Sequence, residues 1–150
     1  MSHSRIYQVS RLPITKENRL VACNADLNRF RVEIPSLDYF KNSEAPRDED
    51  LSWLASELRK VGFSLSDGKI TIGIDNSFIA TWKDVAINAA NSFDLCGLKE
   101  VASGIAFSAM CIYDEENRYL KPLWAWARDV IENQKPSTVY HIGSILDYHF

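Results

Sequence analysis

Cysteine and glycine are scarce in this 150-residue chain, and neither forms a pattern typical of a known site. The three cysteines are an odd number, and the sequence contains neither a Cys-x-x-Cys nor a His-x-x-x-His spacing, which metal-binding and redox motifs use. The six glycines never cluster into a loop that cradles a phosphate. We therefore expect reduced thiols, no metal and no cofactor.

Long hydrophobic runs are also missing. No apolar stretch approaches the roughly 20 residues that a membrane-spanning helix requires. The polar start at residues 1–5 leads into no hydrophobic signal segment. Together with the odd number of cysteines, these features favour a cytoplasmic protein without a membrane partner.

Positive charge is scarce outside the first 34 residues. The whole chain has a net charge of −3, but residues 1–34 carry six basic and three acidic side chains, whereas the remainder carries 11 basic and 17 acidic ones. A basic strip of this size gives weak support for a polyanion site. Any nucleic-acid binding is therefore expected to be weak, and to use the arginines of the strip: Arg5, Arg11, Arg19, Arg29 and Arg31.

The clearest pattern that is present is a helix followed by a hairpin between residues 45 and 74. Pro46 and the acidic residues 48–50 suit a helix start, and Gly62 suits its left-handed end. The apolar residues between them recur at the spacing of one helix face: Leu51, Leu54, Ala55, Leu58 and Val61.

The hairpin turns at Asp67-Gly68, a pair that favours the positive φ values of a type I′ turn. With these two residues in the loop, Leu65 faces Ile70, and residues 63 and 72 form a second apolar pair on the same face. Gly68 is therefore expected to have a positive φ. Residues 77–80 are predicted to add a third strand to this meander.

Further elements complete a single α+β domain. Alternating or short apolar runs predict strands at residues 6–9, 20–23 and 29–34, the last with Phe30, Val32 and Ile34 inward. Residues 36–45 read as a polar connection. Apolar stripes at helical spacing predict helices over residues 81–93, 97–113 and 117–133. Because the strands and helices do not alternate, the pattern predicts antiparallel hairpins packed against about four helices.

The tail, residues 138–149, is predicted to form a hairpin that turns at Gly143-Ser144, because glycine suits the first loop position of a type II′ turn. Its register places Tyr140, Asp147 and His149 on one face, where Asp147 can orient the imidazole of His149 as a general base. Against catalysis, His149 is the second-last residue, and chain termini fray.

Cys23 is a second candidate for catalysis, as a thiol nucleophile near Asn24 and Asp26. No nucleophile-elbow motif supports it, and buried free cysteines are common.

Two tryptophans lie away from the apolar stripes of their helices. Trp53 is about 200° around the helical wheel from Leu51, and Trp126 is about 240° from Leu120. Exposed tryptophans are typical anchors of recognition surfaces. The alternative is that both belong to the core, because a helix in a small α+β domain contacts neighbours on two sides.

The sequence thus favours a small cytoplasmic protein of the inhibitor, immunity or regulator type, which binds another protein without catalysis. Trp53 and Trp126 are its candidate contacts. The first alternative is a hydrolase or transferase that uses the trio of Tyr140, Asp147 and His149, or Cys23. The second is a weak nucleic-acid binder. No motif identifies a family.

Overall fold

A computed structural model describes residues 2–22, 30–31, 34, 37–73 and 75–150, in which seven strands form one mixed sheet and four helices accompany it. The strands are β1 His3–Ser10, β2 Tyr39–Asn42, β3 Ser64–Ser66, β4 Lys69–Thr71, β5 Cys111–Asp114, β6 Tyr119–Pro122 and β7 Val139–His149. The helices are α1 Arg47–Lys60, α2 Ser77–Asn91, α3 Leu95–Ser103 and α4 Leu123–Asn133. The predicted α+β class is confirmed. In these ranges no helix has the length and apolar character needed to cross a membrane.

The long strand β7 organises the sheet, whose strand order is β3-β4-β7-β1-β5-β6. One edge of β7 pairs with β1 along nearly its whole length. Its other edge pairs first with β4 and then, towards its end, with β2. β1 and β5 are parallel, whereas the other pairs are antiparallel. Residues from both ends of the sequence therefore meet at the centre of one sheet.

Each face of the sheet has its own apolar core. One core joins the sheet to the helices, through residues such as Leu54 of α1, Trp82 of α2 and Trp126 of α4. The other core packs the segment that contains Phe30 and Ile34 against the opposite face of the sheet. Burial on both faces explains why the strands carry apolar side chains at successive positions.

The helix and the hairpin turn predicted within residues 45–74 are confirmed, but the paired strands end at Ser64 and Thr71, so the predicted pair of residues 63 and 72 is not part of the ladder. α1 buries Leu54 and Leu58, and Gly62 ends it with φ +80°. In the hairpin, Leu65 faces Ile70. Residues 67 and 68 have φ values of +53° and +69°, as a type I′ turn requires.

Two strands predicted near the N-terminus are wrong in the residues that the structure describes. Residues 20–22 form no strand, and Phe30 and Arg31 are helical, with the Ile34 N–H donating to the Phe30 carbonyl at 2.9 Å. Phe30 and Ile34 are nevertheless buried, because a spacing of four residues keeps side chains on one face in a helix as well as in a strand. Val32 lies outside the described residues, and the predicted connection at 36–45 contains β2.

The boundaries of the later helices also differ from prediction. Residues 77–80, predicted as a strand, begin α2, and Phe93 lies beyond the end of this helix instead of in a core stripe. The helix predicted over 97–113 stops at Gly104, whose φ is +85°, because glycine adopts the left-handed conformation that ends helices. The residues that follow Gly104 connect α3 to β5. Residues 119–122 form β6, so α4 begins only at Leu123.

The tail does not turn back, so the predicted hairpin at Gly143-Ser144 is wrong. Tyr7 pairs with Ile145 but Val9 pairs with Ile142, so β7 carries one extra residue at this point. This irregularity is a β-bulge, which glycine favours inside strands. A Cβ at Gly143 would lie 2.5 Å from the Gln8 side-chain oxygen, so the close approach of that side chain requires glycine.

Candidate functional site

The contact predicted between Asp147 and His149 is present at the end of β7, where His149 Nε2 lies 3.8 Å from Asp147 Oδ2. Tyr140 does not join them. It lies near the other end of the same strand, about 23 Å from Asp147 and about 30 Å from His149 at about 3.3 Å per residue. The predicted trio is therefore not assembled, because a continuous strand separates residues that a hairpin would have brought together.

β1 adds two side chains that the sequence pattern did not connect with Asp147. Strand register pairs Arg5 with Asp147 and His3 with His149, and opposite residues on antiparallel strands point to the same face. Arg5 Nη1 lies 2.9 Å from Asp147 Oδ1, and His3 Nδ1 lies 3.4 Å from the same oxygen. We call these four residues the β1–β7 cluster.

Ring stacking holds His149 in this cluster. Its imidazole lies 4.4 Å from the Tyr39 ring, at 11° between the planes, and 5.8 Å from the His3 ring. Both ring nitrogens of His149 are buried without a hydrogen-bond partner within the described residues. A catalytic imidazole is normally oriented by a close hydrogen bond. His149 lacks such a bond in this conformation.

The side chain of Arg5 makes its contacts inside the protein. Its Nε donates to Asp50 Oδ1 at 2.8 Å, in addition to the ion pair with Asp147. Its guanidinium carbon lies 5.5 Å from the centre of the Trp53 ring. The buried Arg5 therefore links two carboxylates and an aromatic ring, and it is not exposed to a nucleic-acid phosphate.

Two other arginines of the predicted basic strip make contacts within the protein. Arg11 forms an ion pair with Glu116. Arg31 donates to two backbone carbonyls at 2.9 and 3.0 Å. Arg19 lines a cavity of about 280 Å³, and Arg29 lies outside the described residues. Internal pairing of this kind leaves little free positive charge for a polyanion.

The two candidate tryptophans differ in exposure. Trp53 is 38% exposed, in agreement with its predicted position. The prediction for Trp126 is wrong, because it is 0% exposed and its ring packs edge-on against Phe63 and Tyr140. The α4 helix contacts core residues on two sides, so a side chain away from the main stripe is still buried. Trp126 cannot contact a partner in this conformation.

The cysteines show no activated thiol among the described residues. Cys96 and Cys111 are both free, as predicted. Burial raises the pKa of the Cys111 thiol to about 12, so this thiol stays protonated at neutral pH and is a poor nucleophile. Cys96 is exposed on α3. The candidate nucleophile Cys23 lies outside the described residues.

The structure exposes an apolar surface that the sequence pattern assigned in part to the core. We define the α2–α3 tip as Ile87, Phe93 and Leu95, whose side chains are 57%, 79% and 62% exposed. Phe93 lies in the connection between the two helices, and Leu95 is the first residue of α3. Only one residue separates Phe93 from Leu95, and large apolar side chains grouped on a surface are typical of interaction sites.

The backbone of the tip is held by hydrogen bonds on both sides. The Phe93 N–H donates to the Ala90 carbonyl at 3.1 Å, and the Asp94 N–H donates to the Ala89 carbonyl at 3.3 Å, which is the Schellman pattern of helix ends. The Asp94 side chain then caps α3 by accepting from the Gly97 N–H at 2.9 Å. An aspartate three residues before this N–H is the sequence signal that locates the turn.

Known proteins offer no functional assignment for these surfaces: no family model matches the chain, and no curated protein or solved structure matches it. Within the described ranges, no group of three or more His, Cys, Asp or Glu side chains is arranged to hold a metal ion. The function is therefore inferred from the geometry of the surfaces themselves.

Proposed function

We propose that this protein recognises another protein, without catalysis, through the α2–α3 tip. The observation that carries the proposal is Phe93, which is 79% exposed although its φ is +53°. The left-handed conformation costs an L-residue roughly 1–2 kcal/mol, and glycine usually occupies this position at the end of a helix. Since neither the strain nor the exposure stabilises the fold, both are best explained by a contact with a partner.

The hydrogen bonds of the turn support this proposal. They fix the direction of the Phe93 side chain before any partner arrives, because the Schellman bonds and the Asp94 cap define the backbone on both sides. A preorganised side chain loses less conformational entropy on binding. An aromatic ring presented in this way is a typical hot spot of a protein interface.

The surroundings of the tip also suit a protein partner. Three exposed polar residues at the end of α2 and just after it are neutral, namely Asn88, Asn91 and Ser92, whereas the exposed Asp94 between Phe93 and Leu95 is acidic. Protein interfaces commonly place polar residues around an apolar centre, with charged residues depleted at that centre. A partner with an apolar pocket and a polar margin fits these features, as expected for an inhibitor, immunity or regulator protein.

Affinity purification from the native cell with four matched proteins tests the proposal. Phe93→Ser and Leu95→Ser remove the tip, Leu12→Ser removes an equally exposed leucine elsewhere, and the wild type is the reference. We expect at least one protein to be captured by the wild type and the Leu12 variant but lost from both tip variants. With that protein purified, the Phe93 variant should bind about 30-fold more weakly. Identical capture by all four proteins would refute the proposal.

We further propose a cytoplasmic location, which the exposed free thiol of Cys96 supports. Exposed unpaired thiols persist in reducing compartments and are oxidised or paired in secreted proteins. Localisation of a tagged chain by microscopy, with a Cys96→Ser control, tests this inference.

A second candidate function is acid–base catalysis in the β1–β7 cluster, favoured by the position of Asp147 between His3 and His149. The His3 side chain is about half exposed and contacts the carboxylate through Nδ1. Its other nitrogen is thus the one available to a substrate. Screening ester and phosphoester hydrolysis with the wild type and with His3→Ala tests this alternative: activity lost in the variant would support it, and no activity in either protein would reject it.

A further inference from the structure

A polar cavity of about 310 Å³ lies between the β5–β6 hairpin, α4 and β7, far from the α2–α3 tip in sequence. Its walls include the side chains of Asp114, Tyr119, Asn133 and Tyr140. Cavities of this size are at the lower end of those that hold small molecules. Two of these residues, Asp114 and Tyr140, are each only 2% exposed.

Asp114, the last residue of β5, is a buried acidic group without a cation. It is 2% exposed, and Oδ1 accepts from the backbone N–H groups of Glu116 and Asn117 at 3.1 and 3.4 Å. None of the ion pairs among the described residues includes Asp114. Burial, and with it the nearby charge of Glu116, raises the pKa of its carboxyl group, and hydrogen bonds to the carboxylate offset this only in part.

Unlike Asp114, two acidic residues near it form ion pairs. Glu116 is paired with Arg11, and Asp129, which also lines the cavity, is paired with both Lys121 and Arg128. Nearby cations are thus already occupied. The negative charge in the cavity that remains without a partner belongs to Asp114.

Tyr140 provides the second observation. Its ring is 2% exposed and packs edge-on against Trp126, with 5.3 Å between the ring centres. Its side chain also lines the cavity, and burial, together with the nearby charge of Asp114, raises the pKa of its hydroxyl. Asp114 and Tyr140 thus place a carboxylate and a protonated hydroxyl on the wall of one cavity, which indicates a place for a ligand with N–H donors.

We infer that this cavity binds a small organic cation of the ammonium or guanidinium type, whose N–H groups donate hydrogen bonds to Asp114 and Tyr140. Such a group supplies the positive charge that the buried carboxylate lacks and the donor that the tyrosine oxygen can accept. The Tyr119 ring on the cavity wall already has the Lys121 ammonium 4.6 Å from its centre, which shows that this wall tolerates a cation. The cation has two possible sources, a free amine or guanidine, or a lysine or arginine side chain of a bound peptide.

Calorimetric titration of the full chain tests the inference with matched probes. Methylguanidinium and n-butylammonium are compared with methylurea and n-butanol, which are neutral and similar in shape. We expect saturable binding of at least one cation and at least about tenfold weaker binding of its neutral counterpart. If neither cation binds, or if a neutral probe binds as tightly as its cation, the inference is wrong.

Two variants and one control locate the binding. Asp114→Asn keeps the oxygen that accepts the backbone N–H groups, and should weaken cation binding at least about tenfold. Tyr140→Phe should weaken it a few-fold, whereas Asp84→Asn, an exposed acidic change on α2, should have no effect. Far-UV circular dichroism and urea unfolding confirm that each variant folds. Binding that is unchanged in folded Asp114→Asn would overturn the inference.

A short peptide with one central arginine or lysine distinguishes the two sources. Peptide binding at least about tenfold tighter than binding of the free cation, and lost in Asp114→Asn, identifies a side chain as the ligand. Binding of the free cation without peptide binding identifies a small molecule. Both outcomes support the cation site, which does not depend on the α2–α3 tip.

Discussion

Arg5 and Asp50 are 45 residues apart in the chain and form a buried ion pair of 2.8 Å between β1 and α1. The Tyr7 hydroxyl donates to the Asp50 carbonyl at 2.6 Å, and the Ser43 hydroxyl donates to Asp50 Oδ2 at 2.6 Å. Polar contacts therefore join the first turn of α1 to the sheet, in addition to the apolar face of this helix. In the sequence these two residues looked independent, one as a basic surface residue and the other as a helix-start carboxylate.

Replacing Asp50 by alanine should strongly destabilise the protein. The substitution leaves part of the buried Arg5 charge uncompensated, and losing one partner of a buried pair typically costs about 3–5 kcal/mol. Urea unfolding measures the change in the free energy of unfolding. Asp48→Ala removes an exposed carboxylate in the same turn and should cost about 0.5 kcal/mol or less. Equal effects of the two variants would show that the ion pair is unimportant.

Gly73→Ala should destabilise the fold much more than Gly68→Ala. A Cβ at Gly73 would lie 1.8 Å from the Gly62 carbonyl oxygen, so the backbone would have to shift. A Cβ at Gly68 meets no atom within 4 Å, and only its φ of +69° opposes it, which costs about 1 kcal/mol. Thermal unfolding of both variants checks the order, and a Gly68 variant that is the less stable of the two would contradict it.

Short-range sequence patterns correctly predicted the turns, helix ends and helix faces, because these features depend on residues that are close together in the chain. Asp67 and Gly68 determine the turn of the β3–β4 hairpin, and Gly62 ends α1, because positive φ values are properties of single positions. The apolar spacing of Leu54 and Leu58 likewise identified the buried face of α1.

The elements that the sequence did not predict are determined by pairing between strands that are far apart in the chain. Gly143 has the chemistry of a turn, but pairing with β1 and β2 extends β7 across it and makes it a bulge. The same pairing brought His3 and Arg5 to Asp147, which no local spacing indicates. The burial of Trp126 could not be predicted either, because a helical wheel does not show that α4 packs against the core on a second side.

Asp114 and Asp129 should give opposite pH dependences of stability. Burial raises the pKa of Asp114, so its ionisation destabilises the folded state increasingly as the pH rises above about 4, the unfolded value. Burial also opposes ionisation of Asp129, but hydrogen bonds from Lys121 and Arg128 outweigh it and lower the pKa. The stability that Asp129 adds is present above about pH 4 and is lost as the pH falls through its folded pKa.

Urea unfolding of Asp114→Asn and Asp129→Asn between about pH 3 and pH 7 measures how the stability of each variant changes with pH. Relative to the wild type, Asp114→Asn should become more stable as the pH rises, whereas Asp129→Asn should become less stable. Parallel curves for the two variants would contradict the assigned environments.

The thiols should react in a fixed order. A disulfide reagent added to the native protein at neutral pH should modify the exposed Cys96 rapidly, whereas Cys111 should be protected by burial and by a pKa of about 12. Comparison with Cys96→Ser assigns the fast reaction. Titration in denaturant without reductant should count three thiols, and a count of one would reveal a disulfide.

The central claim, that the α2–α3 tip is kept for binding at the expense of stability, is tested most directly with Phe93→Gly. Glycine adopts a φ of +53° without strain, so the free energy of unfolding should rise by up to about 1 kcal/mol. Loss of the aromatic ring should at the same time weaken binding of the purified partner by about 2 kcal/mol or more, which is roughly 30-fold. A Phe93→Gly protein that is less stable than the wild type and binds the partner equally well would contradict the account.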